Sequence, residues 1–428
     1  MVVVPWALWQ VARMTTNRNR LIFWLSMAAA QIGGFIIFKD LADISQWLVQ
    51  SSRDFTMAVW YNRHWIAGLS LCLFAVAAII AWRDRRVCPR PLLFFFVAFF
   101  AINLYSGLIN PNWMFRPQQH EANFVSVTEA PGHMRQSLEY AHFGAESYAA
   151  VDDISVVVLE TDNGAYAYSD YYLLQPHVAK GDVIDGEEVV MTYCGLTNLA
   201  IAYSPVIDGQ QLELSVMTQL KNNLVLKDGN TGEPIQQLWG TLEGAPERGR
   251  MPEYATLRMP FRSFRELYPD GKVFVNEIAA LAENPLTGLW DRLVRNVMMV
   301  WGVGLQWDDP ENAAFPTISE PDPRLPMKTR IFALNVGDDF VAYTKDFLIQ
   351  HGGIVNVEIG GAPVVIHYND RYDAVAAFFN DATAPVPAID LFGQTGDGRR
   401  LQRVNTLKSD LFWFIFAEFY PQTDVNRA

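Results

Sequence analysis

A chain of 428 residues is too long for one average domain, and two or three are expected. Half of its residues are hydrophobic and only 18% are charged, an apolar balance for a soluble protein. The net charge of −13 argues against a nucleic-acid partner or a polybasic membrane clamp.

The apolar excess lies at the front. Residues 21–38 (LIFWLSMAAAQIGGFIIF) carry no charge, residues 64–82 only an edge histidine, and residues 91–109 none. Each run is about long enough to cross a hydrocarbon core of roughly 30 Å at about 1.5 Å per residue. None shows the polar face of a buried soluble helix. Three membrane spans are therefore expected within residues 21–109. Arg13, Arg18 and Arg20 precede the first span, and Arg83, Arg85, Arg86 and Arg90 fill the loop before the third. Residues 39–63 mix both signs. The bias of basic residues toward the cytoplasm puts residues 1–20 and the second loop inside and everything after Ile109 outside. The expectation is an inner (plasma) membrane protein with a periplasmic or otherwise extracytoplasmic C-terminal part, and the lipid bilayer as its first partner. No small-residue cleavage site follows the first span and two more spans do, so it is not read as a signal peptide. Residues 2–11, with Trp6 and Trp9, fit an interfacial segment or a disordered start. Gln31 and Asn103 are uncharged, which argues against an intramembrane ion path.

After the third span, β-branched and alternating runs dominate: 154–160, 188–194, 199–205 and 212–216. Asp-Asn-Gly at 162–164 and Asp-Gly at 185–186, 208–209 and 228–229 separate them as turns. Residues 284–305 break this pattern, with Leu286, Leu289, Trp290, Leu293, Val294, Val297 and Met298 at helical spacing. That helix fits packing on the ectodomain core, or resting on the membrane or on another subunit of a membrane complex. Residues 308–326, rich in Asp and Pro, read as a linker.

The two sides of this linker are related. A shift of 175 residues aligns 159–194 with 334–369 without a gap and makes ten of 36 positions identical, against about two or three at random composition. FRELYPDGKV at 264–273 also resembles FAEFYPQTDV at 416–425. The pattern implies an internal duplication. The fold class expected is an α+β membrane protein: a cytoplasmic or interfacial N-terminus (1–20), three transmembrane helices (21–109), and a β-rich ectodomain of two duplicated lobes (110–283 and 327–428) joined by a helix and linker (284–326).

Five stretches carry a family resemblance: ANFVSVTEA (122–130), the run from His177 through Asp182 and Gly186 to TYC (192–194), NNLVLKDGNTGEPIQQLW (222–239), FPTISEPDPRLPMKTRIFALNV (315–336) and LFWFIFAEFYPQTDV (411–425). In these the chain resembles the DUF3179 family, a domain of unknown function found in exported or membrane proteins. The resemblance spans nearly all of 120–428 and none of the three apolar runs. It implies Cys-Pro-Leu-Cys after Thr-Tyr, whereas Cys194-Gly195-Leu196-Thr197 stands here, so a dithiol cycle within this motif is impossible. Trp239-Gly240-Thr241 likewise departs from the family's Trp-Ser-Gln.

The chemistry-bearing candidates centre on His177 and Cys194. Cys72 lies in the second span and Cys88 in the cytoplasmic loop, which leaves Cys194 as the one outside thiol, with no intrachain disulfide partner. The ungapped shift places Gly352 and Asn369 at the matching positions, so the soft donors belong to one lobe. Imidazole with thiolate suits copper or zinc; an imidazole beside a thiol also fits a nucleophile with its base; a buried core cysteine is the plainer reading. Copper or zinc needs about three or four ligands, and the remaining candidates are Met191, Asp182, Met217, His133 and His142, none at a diagnostic spacing. His351 and His367 read as surface or satisfied histidines, and the acidic pairs Asp152-Asp153 and Glu187-Glu188 as solvated turns. No GxSxG, HExxH, phosphate-loop or dinucleotide fingerprint stands in a credible context. Three functional readings follow: a binding or accessory ectodomain, with metal at His177/Cys194 or docked on a membrane complex; a cysteine enzyme; and a purely structural subunit.

Overall fold

The computed structural model describes residues 3–43, 46, 49–108, 123–141, 151–173, 177–184, 186–275, 309–313, 315–318, 320–382 and 384–428. The amphipathic run 284–305 lies outside the described residues. The chain forms two compact units, residues 1–113 and 114–428.

The first unit is three helices, α1 (Val3–Leu41), α2 (Arg53–Arg83) and α3 (Arg90–Leu108). Asn17–Leu41, Arg53–Arg83 and Arg90–Leu108 are long and apolar enough to cross a membrane. Residues before the first apolar run continue α1 without a break, so the N-terminal segment is not a separate element. Small residues let the helices approach closely: Gly33 meets Ser70, and a Cβ on Gly107 would stand 2.8 Å from the Ile37 carbonyl oxygen. Trp65 and Trp82 are 81% and 84% exposed, which fits helices that face lipid. Polar groups turn inward. Gln31 Nε2 donates to the Phe96 carbonyl (2.9 Å), and Asn103 is buried. At the end of α1, Lys39 pairs with Asp40 (3.2 Å), which also accepts from Thr56 Oγ1 (3.1 Å).

The second unit is built of small sheets in a propeller-like arrangement. After β1 (Asn123–Ser126) and α4 (Ala130–Ala141), the run β2 (Ser155–Thr161) and β3 (Gly164–Ser169) leads through the helical turn α5 (Asp170–Leu173) to β4 (Val178–Ile184), β5 (Glu187–Cys194) and β6 (Leu199–Tyr203). A short ribbon, β7 (Val206–Ile207) with β8 (Gln210–Gln211), follows. Next come β9 (Leu214–Leu220), β10 (Asn223–Asp228), β11 (Pro234–Gln236) and β12 (Thr241–Leu242), which form a sheet of their own. Lys221 and Asn222 both have positive φ (54° and 62°) in the β9–β10 turn, the backbone a type I′ hairpin demands. β13 (Glu253–Tyr254), β14 (Thr256–Pro260), α6 (Phe261–Leu267) and β15 (Lys272–Val275) complete this half.

The later half runs β16 (Arg330–Val336), β17 (Asp339–Thr344), α7 (Lys345–Gln350), β18 (Ile354–Ile359), β19 (Ala362–Asn369), β20 (Ala374–Phe379), β21 (Gln402–Arg403), β22 (Lys408–Phe412), α8 (Trp413–Phe419) and β23 (Asp424–Asn426). Its pairing order repeats that of the earlier half. β14 pairs antiparallel with β2, β2 antiparallel with β3, and β3 parallel with β15. In the same way β22, β16, β17 and β23 pair antiparallel, antiparallel and parallel. β4-β5-β6-β13 and β18-β19-β20-β21 are both antiparallel sheets of four strands.

The later half has a cluster of its own, around Leu334, Tyr343, Val364 and Ile366, but two further clusters are shared between the halves. One hydrophobic cluster joins Val156, Leu257 and Phe264 to Val365, Ala376 and Phe378. Another joins Val190, Cys194 and Leu226 to Ile331, Leu411 and Trp413. β14 packs on β20, and β22 on β6, so each half lends its edge strand to the other. A nearly buried ion pair ties the exchange: Lys408 Nζ lies 2.9 Å from Glu253 Oε2, their side chains only 4% and 8% exposed.

Breaking that pair leaves one charge stranded, which costs about 3–5 kcal/mol. Lys408→Met is expected to lose that much stability in chemical denaturation of the detergent-solubilised chain, and Lys408→Met with Glu253→Leu to regain most of it. A single-variant loss below about 1 kcal/mol would mean that the pair behaves like an exposed one.

Candidate functional site

Cys194 ends β5 at a turn, Cys194-Gly195-Leu196-Thr197, and its side chain enters the cluster shared by both halves. The thiol donates to the Asn222 carbonyl (3.6 Å). Burial raises its pKa; bonds from the Thr197 hydroxyl and the backbone amides of Leu196, Thr197 and Leu224 act in the opposite direction without overcoming it. At neutral pH this is a thiol, not a thiolate.

His177 precedes β4, where β4 begins to pair with β5. Its amide donates to the Leu173 carbonyl (2.9 Å) and its carbonyl accepts from the Tyr193 amide (2.8 Å). Its Nδ1 lies 3.1 Å from the Tyr193 carbonyl oxygen. Donation from Nδ1–H to that oxygen fixes the tautomer whose lone pair is on Nε2. Burial drives the imidazole down to about 4, the Tyr193 contact opposing it. The backbone is left-handed, with φ of 62°, a conformation that costs most residues about 1 kcal/mol or more.

The structure sharpens the comparison between halves. Gly353, not Gly352, makes the matching bonds, to the Leu348 carbonyl and from the Tyr368 amide, both 2.8 Å. Its φ is 76°, and a Cβ there would meet the Tyr368 oxygen at 2.7 Å. The extra residue before β18 is balanced by a bulge in β4. Lys180 faces Val190 and Val183 faces Glu188, so residues 181 and 182 share one partner. An ungapped alignment hides both shifts.

Behind β5 lies a buried polar network. Tyr193 Oη donates to Asn198 Oδ1 (3.1 Å), which also accepts from Arg258 Nη2 (2.5 Å). Arg258 donates further to Ser155 Oγ (2.9 Å), the Asn198 carbonyl (2.7 Å) and the Ser409 carbonyl (3.2 Å), and pairs with Asp170. Burial would lower the guanidinium, but the Asp170 carboxylate beside it carries its pKa above the ordinary value. Asn198 Nδ2 reaches the Asp410 carbonyl at 2.7 Å.

The structure brings together only part of the expected donor set. His177 and Cys194 flank Tyr193 but have separate partners. Met191 points into the cluster opposite to that of Cys194. Met217 is buried in β9 and His133 sits on α4. Asp182 stands on the bulge, its side chain outside the described residues, as is His142. Among the described residues no group of three His, Cys, Asp or Glu side chains is placed to hold a metal ion. His367, read as a surface or satisfied histidine, is buried. Its Nδ1 lies 3.1 Å from the Gly353 carbonyl, and Nε2 has no partner among the described residues. Arg258 and Asn198 were missed altogether. The signal was there: one arginine inside the otherwise apolar strand TLRMP.

The segments that carry the resemblance converge here. Asn222, whose carbonyl receives the Cys194 thiol, also clamps the later segment, donating to the Phe315 carbonyl (2.9 Å) and Thr317 Oγ1 (2.8 Å). Trp239 packs edge-on against Phe419 at 5.1 Å, and Tyr420 Oη donates to the Leu238 carbonyl (3.2 Å). Arg324 donates to the Thr423 and Pro421 carbonyls (2.5 and 2.9 Å). The profile of the family described as "Protein of unknown function (DUF3179)" matches residues 137–423, the larger part of the chain. The chain belongs to the DUF3179 family. No curated protein and no solved structure shows significant similarity. In this DUF3179 member the profile takes in the whole of the Cys194 surroundings, while the three apolar helices lie ahead of it.

The depressed imidazole makes folding pH-dependent. Above 6.5, the ordinary value, His177 is neutral folded or unfolded. Between 6.5 and about 4 only the unfolded chain takes the proton, so stability falls with pH across that window, by at most about 1.4 kcal/mol per pH unit. His177→Gly is expected to flatten this part of a stability-against-pH curve; an unchanged slope would clear His177 of the effect.

Proposed function

We propose that this DUF3179 protein is a membrane-anchored binding module whose β-rich unit works outside the cytoplasm, with the His177 end of β4 as its ligand-contacting site. The observation that carries the reading is the contrast between His177 and Gly353. Both hold the same two backbone bonds at positive φ. Gly does this without strain, whereas His177 adds backbone strain and a buried neutral imidazole. A residue kept at such a cost, where the scaffold manages with glycine, points to a role for the imidazole itself. The repeated pairing order and the 175-residue spacing support an origin by internal duplication, after which the earlier half alone acquired His177, Cys194 and the added β9–β12 sheet.

The thiol-enzyme reading is less favoured. An activated nucleophile needs a lowered pKa and an adjacent base, whereas burial raises the Cys194 thiol and the His177 Nδ1 is taken up by a backbone carbonyl. The outside location rests on Arg13, Arg18 and Arg20 before the first span and on the four arginines of the 83–90 loop.

Orientation is tested with single cysteines in a chain lacking its own three. Gln210→Cys, in an exposed turn, is expected to react with a membrane-impermeant maleimide on right-side-out membranes, and Arg85→Cys only after permeabilisation; the reverse pattern would overturn the outside location. The site is tested by complementation of a deletion strain. His177→Gly is expected to fold at least as stably as the native chain and yet fail to restore function. Full complementation by a folded His177→Gly chain would leave His177 without the proposed role.

A further inference from the structure

Two carboxamides of the β9–β12 sheet are buried with no hydrogen-bond partner among the described residues. Asn223 begins β10 and Gln236 ends β11, and both are 0% exposed. Neither Nδ2 nor Oδ1 of Asn223, and neither Nε2 nor Oε1 of Gln236, has a hydrogen-bond partner among the described residues. The register places them on one face. Gln236 lies opposite Val225, and Asn223 precedes Val225 by two, so the amides are diagonal neighbours, roughly 7–8 Å apart at the backbone and within each other's reach. Thr218, also buried, stands opposite Val225 on the other side. Of the adjacent amides, Asn222 is engaged with Phe315 and Thr317, and Gln237 Nε2 donates to Thr192 Oγ1 (3.0 Å) while its Oε1 is also without a partner among the described residues.

An unsatisfied buried polar group costs about 1–3 kcal/mol, so four in one place would consume much of a domain's typical stability of about 5–15 kcal/mol. Apolar side chains of the same shape would avoid the cost, so packing does not explain the two amides. Each presents a donor and an acceptor, which asks for a partner that both donates and accepts. A charged partner would need a counter-charge at this depth. Lys227, two residues from Val225 on the same strand, already has an interaction of its own. We infer that Asn223 and Gln236 form an internal site for a small uncharged molecule of the polyol class, whose neighbouring hydroxyls pair with both amides. This site is separate from His177 and does not depend on the role proposed for it.

The test is thermal unfolding of the full-length protein in detergent with increasing glycerol as the probe and acetate as a charged control of similar size. Glycerol raises Tm gradually in any protein by exclusion from its surface, whereas occupancy of a site adds a term governed by its dissociation constant. The native chain is expected to show an added rise at low glycerol that bends over as the site fills, absent with acetate. Asn223→Leu and Gln236→Met are expected to show only the gradual rise, and His177→Gly to keep the bend. The same gradual rise in all chains would overturn the inference and leave ordered water as the occupant. A bend with acetate but not with glycerol would overturn the uncharged class. Should the apolar variants fail to fold, Gln236→Glu keeps the shape while adding a charge; a bend that survives it would also overturn the site.

Discussion

Arg258 is the constraint on which the β-rich unit depends. Its guanidinium is buried between the two halves and touches Asp170 and Asn198 of one and the Ser409 carbonyl of the other. A guanidinium cannot shed its charge and presents five donors in a fixed fork, so each of those acceptors must stay where it is. The Asp410 backbone, left-handed at φ of 63°, forms the bulge in β22 that turns these carbonyls toward the network. At the matching place in the later half the charges are exchanged: Lys345 stands where Asp170 does, 2.6 Å from Asp373, which stands where Asn198 does. A similar fold thus closes one junction with a buried arginine and the other with a half-exposed lysine. The buried version is the more demanding, since removing either partner strands a charge.

That junction explains why the two halves are one folding unit. A sheet edge is a liability unless it is covered, and here the strands β14 and β22 are each covered by the opposite half. Two of the hydrophobic clusters follow the same exchange, and Cys194 shares one of them with Trp413 and Leu411 of the later half. The clusters around Val156 and around Cys194 run across the boundaries at residues 283 and 327.

How much of this was legible in the sequence varied with the type of signal. Membrane helices announce themselves by uninterrupted apolar runs, and the alternating β-branched runs marked the later chain as β-rich. The one-residue slip was not legible. An insertion before β18 and a bulge in β4 cancel, so the alignment stays ungapped while His177 is compared with the wrong glycine. Only the hydrogen bonds to Leu173 and Leu348 reveal it. The site was half legible. Cys194 and His177 were conspicuous as residue types, yet a type says nothing about the face it occupies, and Met191 three residues away turned out to face the other cluster. Arg258 and Asn198 were overlooked because a lone charge in a strand is usually at the surface.

The histidines carry this one step further. In the earlier half an imidazole is anchored through Nδ1 to Tyr193, from the start of β4; in the later half His367 is anchored through Nδ1 to Gly353, the residue that takes His177's place. The imidazoles come from opposite strands of equivalent hairpins, yet each closes on the same rung of its ladder. His367 stands where the earlier half has Thr192, and Thr192 accepts from Gln237 of the added sheet. Once the β9–β12 sheet covers that position, an imidazole on β5 would compete with Gln237 for it. The vacated role then falls to the opposite strand, where only a left-handed residue fits. On this account the left-handed backbone at His177 is what keeps an imidazole at this rung beside the added sheet, a structural link between the hairpin and the sheet.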